Sequence, residues 1–391
     1  MTTVIVGGAR TPMGRLLGSL AGFTAVDLGA HAIRGALART GVAPSAVQHV
    51  ILGNVIQAGN RMNPSRQAAV AAGLGMDVPT VTVNNVCLSG MEAIIQADQR
   101  IRLGLADVVV AGGMESMTRA PHLLMNGRTG VKYGAMEVVD AIAQDALTDC
   151  FDGLSMGAST ERFNDRYDFT RADQDEFAAA SHQRAARASE LGTFDAEITA
   201  VPIPQRNGEP TSFAYDEGIR PDTTIETLAR LRPAFSADGT ITAGNSSQIS
   251  DGACALVLMS KSHADALGVP WIAEIVSTSE VAGPDPSLHL QPANAIRAAA
   301  DRAGRAITDL SLFEINEAFA AVGLASQRAL GVPSDVVNVN GGAIAMGHPV
   351  GMSGARITLH LALELGRRGG GLGAAALCGG GGQGTAVLLK V

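Results

Sequence analysis

Short runs of valine, isoleucine and alanine recur along the chain and alternate with stretches whose apolar positions fall at helical spacing. Val4–Val6, Val50–Leu52, Val81–Val83 and Val108–Ala111 are such runs, and they predict buried strands. Asp27–Arg39 and Ser65–Ala72 lie between them and predict helices. Strand–helix alternation with continuously apolar strands predicts an α/β fold whose parallel or mixed sheet is covered on both faces. The order recurs later in the chain. Trp271–Val276, Leu312–Ile315, Val336–Val339 and Ala374–Leu377 predict a second set of strands. NNVCLSGMEAI and NGGAIAMGHPVGMSGARI both leave a V-x-V run through Asn and reach a Ser-Gly that opens a helix. Ser89 to Ser353, Ala111 to Cys378 and Val4 to Trp271 span nearly the same interval. Two copies of one sheet-and-helix unit are therefore expected.

Between Thr118 and Ser250 the texture changes to more charge and more proline. Thr170-Arg-Ala-Asp173 has the form of a capping box and predicts a helix running to about Leu191. Arg232–Phe235 and Ala243–Ser247 are loop-like. An inserted region over the sheet edges is expected, a common home for binding residues.

Composition narrows the picture. A chain of 391 residues, 46% hydrophobic and 17% charged, can bury a large core in two or three domains. With 4% aromatics that core must be aliphatic. A net charge of −8 leaves no basic face for nucleic acid. No apolar run is long enough for a membrane span, and the start, MTTVIVGGARTPMG, lacks the basic and apolar regions of a secretory signal. Cys87, Cys150, Cys254 and Cys378 are widely spaced, so reduced thiols in a cytoplasm are expected. No His or Cys cluster has metal-ligand spacing.

Four side chains fall where a strand meets a helix or turn, the end at which α/β sheets bind ligands. Cys87 precedes a helix, where the macrodipole favours a thiolate; a small buried packing residue is the alternative. Cys378 is followed by Gly379-Gly380-Gly381-Gly382-Gln383-Gly384, more glycine than a turn needs, so something must approach that backbone closely. The run lacks the lysine of a phosphate loop. His348, in GHPVGMSG, stands on a stiff turn, and Asn316, in NEAFAA, follows a strand as a candidate ligand or as an N-cap. Two thiols, a histidine and an asparagine suit acyl transfer through a thioester better than a cysteine hydrolase or a dithiol oxidoreductase.

On the blocks NNVCLSGMEAI, AGGMESM, LRPAF, TAGNSSQISDGA, NEAFA, NGGAIAMGHPVGMSGAR and CGGGGQG, in that order, the chain resembles the thiolase family over essentially its full length. Within that family it is most similar to the acetyl-CoA acetyltransferases. The resemblance implies a duplicated five-layered α/β/α/β/α fold with an inserted loop domain. The N-terminal domain would comprise residues 1–117 plus 251–268, the loop domain 118–250, and the C-terminal domain 269–391. It implies Cys87 as acylated nucleophile, His348 as its base and Cys378 as the acid/base at the α-carbon. Asn316 would hold a water in one oxyanion hole, and the backbone N–H groups of Cys87 and Gly380 would form the other. Coenzyme A, a substrate, would be held by Met156, Arg220, Phe235, Ala243, Ser247, Ala318 and Phe319, with no metal and no covalently bound cofactor. The implied reaction is ping-pong exchange between two acetyl-CoA and acetoacetyl-CoA plus coenzyme A, in a homo-oligomer, dimer or tetramer. A broader 3-ketoacyl-CoA thiolase of β-oxidation is the near alternative. A non-catalytic acyl-CoA or lipid carrier and a ketoacyl synthase are the distant ones. Leu88, Gln248 and Pro284–Pro292 depart from the commonest family pattern and leave acyl-chain preference open.

Overall fold

The computed structural model describes residues 1–391. The main sheet contains β1 (Thr3–Arg10), β2 (His49–Gly53), β3 (Thr80–Val83), β4 (Val108–Ser116), β5 (Ser250–Ser260), β6 (Ala273–Ala282), β7 (Leu312–Ile315), β8 (Leu372–Gly379) and β9 (Gln383–Lys390). The principal helices are α1 (Ala25–Thr40), α2 (Pro64–Ala71), α3 (Ser89–Arg102), α4 (Met156–Asn164), α5 (Arg171–Glu190), α6 (Gln291–Arg302), α7 (Ala320–Leu330) and α8 (Ser353–Arg367).

The strands lie in the order β7–β8–β9–β6–β1–β5–β4–β2–β3, with the short strand Gly14–Arg15 also pairing with β5. The duplication is visible in that order. β1–β5–β4 are antiparallel, and β4–β2–β3 continue in parallel. β6–β9–β8 are antiparallel, and β8–β7 continue in parallel. The copies are stitched at one place, where Val4 and Ile5 pair with Glu274 and Ala273.

Alternate residues of each strand face different cores, as a two-residue period requires. Val108 and Val110 pack outward with Leu28 and Ile33 of α1, while Val109 and Ala111 pack inward with Ile94 and Ile95 of α3. In the second copy Phe313, Ala374 and Leu388 pack outward with Ile296 of α6. Ala375, Leu377 and Leu389 pack inward with Ile357 and Leu359 of α8. The layers are therefore α1 and α2, the first strand set, α3 with α8, the second strand set, and α6 with α7, as the α/β/α/β/α expectation holds. Lying between the two strand sets, α8 is buried on nearly every face, Arg356, Thr358 and His360 included.

The predicted strand at Val336–Val339 is absent. Val337 alone makes a parallel bridge to Phe313. Asn338 then turns away at φ 46°, and its side-chain amide accepts from Ile315 N–H and donates to Ile315 C=O, both at 2.8 Å. One side chain thus takes the place of the next ladder residue. Val81–Val83 is a strand, but it lies on the open edge of the sheet and is not buried: Val81 is 38% exposed. β6 begins at Ala273, two residues after Trp271.

Thr170 does cap α5, with the reciprocal Asp173 contact that defines a capping box. The region from 118 to 250 is tied to both copies by a buried ionic network. Arg10 of β1 donates to Glu197 at 2.8 Å and to Asp216 at 2.7 and 2.8 Å, and His360 of α8 contacts Glu197 at 2.9 Å. Removing one partner from such a buried set costs about 3–5 kcal/mol. No helix is long and apolar enough to cross a membrane, and no group of three or more His, Cys, Asp or Glu is placed to hold a metal ion.

Candidate active site

β3 ends at Val83, and the chain reaches α3 through a tight elbow. Val86 sits at φ 49°, a left-handed conformation rarely accepted by a β-branched residue. Such a residue stores strain of order 1–3 kcal/mol and persists only where its surroundings fix it. Ser89, the first residue of α3, supplies that support: its hydroxyl donates to Val86 C=O at 2.6 Å and accepts from Asn85 N–H at 2.8 Å. Cys87 therefore stands just ahead of the helix on a braced elbow.

The second copy lowers its Gly347–Gly354 turn onto this place. Gly53, Gly90 and Gly113 of the first copy leave the space that the Gly351 carbonyl fills; a Cβ on Gly53 would lie 2.6 Å from that oxygen. Glu115 locks the contact. Its carboxylate accepts from Val55 N–H at 2.9 Å, Ile56 N–H at 3.2 Å, the Asn54 amide at 2.8 Å and Gly351 N–H at 3.1 Å. Burial pushes this carboxyl up to about 7, against the pull of those donors.

His348 is buried on the turn. Its backbone N–H donates to Gln248 C=O at 3.0 Å, its Nδ1 lies 2.6 Å from Ser353 Oγ, and its Nε2 lies 3.4 Å from Asn316 Nδ2. Burial, helped by the positive charge of Arg356, lowers its pKa to about 4, so the ring is neutral at pH 7. Asn316 is not a helix cap. α7 begins only at Ala320, and the Asn316 side chain turns instead to His348, leaving its Oδ1 buried without a protein partner. Its backbone N–H donates to Ala376 C=O at 2.9 Å, which holds it beside the end of β8, where Cys378 lies.

Cys378 is buried in an apolar cluster with Met156, Leu288 and Phe319. Burial, and then the charge Cys87 would carry, push its thiol well above the ordinary range. The Gly380 N–H lies near enough to Cys87 to favour its charged form. That donor and Cys87's own N–H favour the thiolate, but burial outweighs them, with Glu115 adding to it, and the Cys87 thiol rises to about 11. Desolvation thus acts against the expected helix-dipole effect on this thiol, although Cys87 keeps part of its surface exposed.

The glycine run after Cys378 serves several neighbours. A Cβ on Gly379 would meet Leu88 at 2.6 Å, and the backbone of Asp285 and Gln291 crosses Gly382 and Gly384. Gly380 alone has ordinary clearance, 3.4 Å from Met156 Sδ and Val86 Cγ1. Leu88 is buried in the central core against Gly379.

Of the expected coenzyme A positions, Met156, Ala318 and Phe319 share the Cys378 cluster. Phe235 stands edge-on to Phe319 with ring centres 6.2 Å apart, and Ser247 N–H donates to Ala318 C=O at 3.0 Å. Ala243 is exposed on the same loop as Ser247. Arg220 is exposed on a neighbouring loop, whose Gly218 C=O accepts from the Gln248 amide at 3.1 Å. A cavity of about 550 Å³ beside α4, lined by Glu161, Asn164, Tyr167 and Thr240 among others, contains none of the four.

Sequence reasoning missed Glu115, Gln248 and Ser353 as organisers of the site. Glu115 lies inside the AGGMESM block, and Ser353 occupies the helix-opening position that the repeat had marked, so both signals were present.

Residues 3–262 match the family model for the thiolase N-terminal domain, and residues 269–391 that for the thiolase C-terminal domain. A probable acetyl-CoA acetyltransferase of Mycobacterium leprae is 59% identical, covering 100% of this chain and 99% of that protein. The acetyl-CoA acetyltransferase of Pseudomonas aeruginosa is 49% identical over 99% of this chain and 98% of its own. The crystal structure of the Bacillus anthracis acetyl-CoA acetyltransferase superposes with a TM-score of 0.97 at 41% identity, over 100% of this chain and 98% of that one.

Proposed function

The chain belongs to the thiolase family, and we propose that it acts as an acetyl-CoA C-acetyltransferase, joining two acetyl-CoA into acetoacetyl-CoA and coenzyme A and running the reverse cleavage. What supports the reading is the contact of the His348 imidazole with the Asn316 amide, beside a Cys87 thiol whose charge would act on a second thiol, Cys378.

In cleavage, His348 Nε2 takes the Cys87 thiol proton as the sulfur attacks the keto carbon of acetoacetyl-CoA. The bond between the keto carbon and the α-carbon breaks. The acetyl-CoA carbanion takes a proton from Cys378, and the acetyl group stays on Cys87. Coenzyme A then attacks this thioester and gives its thiol proton to Cys378, while the departing Cys87 sulfur regains its proton from His348. Since the resting thiol and imidazole are both neutral, proton transfer accompanies attack instead of preceding it. The Cys87 and Gly380 N–H groups would hold one oxyanion. A water on Asn316 Oδ1, together with His348, would hold the other. Met156, Phe235, Ser247, Ala318 and Phe319 would line the pantetheine channel, with Ala243 and Arg220 at its mouth.

The half-exposed edge strand β3 and the exposed Met62 and Met76 support a homo-oligomer, dimer or tetramer. Four free cysteines fit a reducing cytoplasm, and the chemistry fits fatty-acid metabolism. The test is turnover by purified protein of acetoacetyl-CoA against longer 3-ketoacyl-CoAs. Preference for acetoacetyl-CoA is expected. Turnover of only the long substrates would make the enzyme a broader 3-ketoacyl-CoA thiolase, and no turnover of either would point to a carrier.

A further inference from the structure

Ser89 and Ser353 open equivalent helices in the two copies, yet they use their hydroxyls differently. Ser89 stays within its own backbone elbow. Ser353 Oγ lies between Pro349 C=O, at 3.0 Å, and His348 Nδ1, at 2.6 Å, both ring and hydroxyl being buried. On the opposite side of the ring, Asn316 Nδ2 faces Nε2 at 3.4 Å.

A neutral imidazole carries one proton, and its other nitrogen can only accept. Pro349 C=O can only accept, and an amide NH₂ can only donate. One proton arrangement uses all three contacts: Ser353 O–H to Pro349 C=O, His348 Nδ1–H to Ser353 Oγ, and Asn316 N–H to His348 Nε2. The reverse tautomer leaves the serine–proline contact unused and requires the Asn316 amide to flip, so that its Oδ1 accepts from Nε2–H.

We propose that Ser353 is a positioning residue that fixes His348 in the Nδ1–H tautomer, leaving Nε2, on the Asn316 side of the ring, as the nitrogen able to accept a proton. It rests on the reading of His348 as the base, since a base with its proton already on Nε2 has nothing to accept with. The Ser353 hydroxyl contacts the His348 ring and the Pro349 carbonyl. It acts through the ring, as the orienting member of a nucleophile–base–orienter chain does.

The direct test is nitrogen NMR of the whole protein with ¹⁵N-labelled histidine, the His348 signals being those lost in His348→Asn. A protonated Nδ1 and a bare Nε2 are expected; a protonated Nε2 would overturn the proposal. In kinetics, Ser353→Ala is expected to lower kcat by about 10²-fold, the scale of general-base assistance, with KM for acetoacetyl-CoA nearly unchanged. Ser353→Thr, which keeps the hydroxyl, should recover most of that loss. A Ser353→Ala kcat within about twofold of wild type, or equal losses in both variants at unchanged melting temperature, contradicts the assignment. Should Ser353→Ala fail to fold, the NMR result on the wild-type protein still decides. That result is independent of turnover, so an inactive protein with the Nδ1–H tautomer would count against the catalytic reading and not against Ser353.

Discussion

The two copies of the unit reach their inward helices by very different junctions. In the first, residues 84–88 carry the chain from a paired strand to α3 through one strained residue, Val86. In the second, residues 338–352 start from a single bridge and include a one-turn helix before α8. The short junction braces the Cys87 thiol by its own backbone. The long one reaches across the molecular centre and delivers an imidazole, held by Glu115, Gln248 and Ser353. The frame is common to both copies, and the two junctions differ in length and in what they hold.

Substitutions can break this division of labour. Cys87→Ala is expected to remove condensation and cleavage altogether, measured as release or consumption of coenzyme A. His348→Ala should lower turnover at pH 7 by about 10²–10⁴-fold, and the deficit should shrink as pH rises. The sign follows from the Cys87 thiol. Its value of about 11 means that the thiolate fraction, and hence attack without a base, grows about tenfold per pH unit up to there. A deficit independent of pH would show that His348 does something other than take that proton. For the same reason, iodoacetamide should label Cys87 of the free enzyme slowly at pH 7 and faster by about tenfold per unit above it. A plateau near pH 7 would indicate a preformed ion pair.

Gly113→Ala places a methyl group into the Gly351 carbonyl and must lift the second junction off the first. Overpacking of this kind costs about 1–3 kcal/mol, read as a lower melting temperature. Turnover is expected to fall more than alkylation of Cys87 at pH 9, because the elbow remains while the base moves. Phe235→Ala touches neither junction. It should raise KM for acyl-CoA by about tenfold, the loss of one aromatic contact of about 1.4 kcal/mol, with kcat nearly kept. An unchanged KM would remove Phe235 from the binding channel.

The elements and the thiols were legible because they are local. A V-x-V run, a capping box and a Ser-Gly that opens a helix are written in consecutive residues. What escaped was written across the copies. Val336–Val339 has the composition of a strand, but Asn338 places its side chain where the ladder would continue. Cys87 sits where a helix dipole favours a thiolate, but the neighbours that desolvate it are drawn from both copies and the inserted region. Asn316 has the form of an N-cap, and only the fold shows His348 beside it. Leu88 is similar: next to the nucleophile in sequence, it packs under Gly379 on the Cys378 loop.

In the proposed mechanism, Cys87 on the tight junction carries the acyl group while Cys378 only moves a proton. Mass spectrometry of Cys378→Ala mixed with acetyl-CoA tests it most directly. An acetyl group on Cys87, formed without any acetoacetyl-CoA, is the predicted result. No acetylated cysteine, or acetylation of a cysteine other than Cys87, would contradict it.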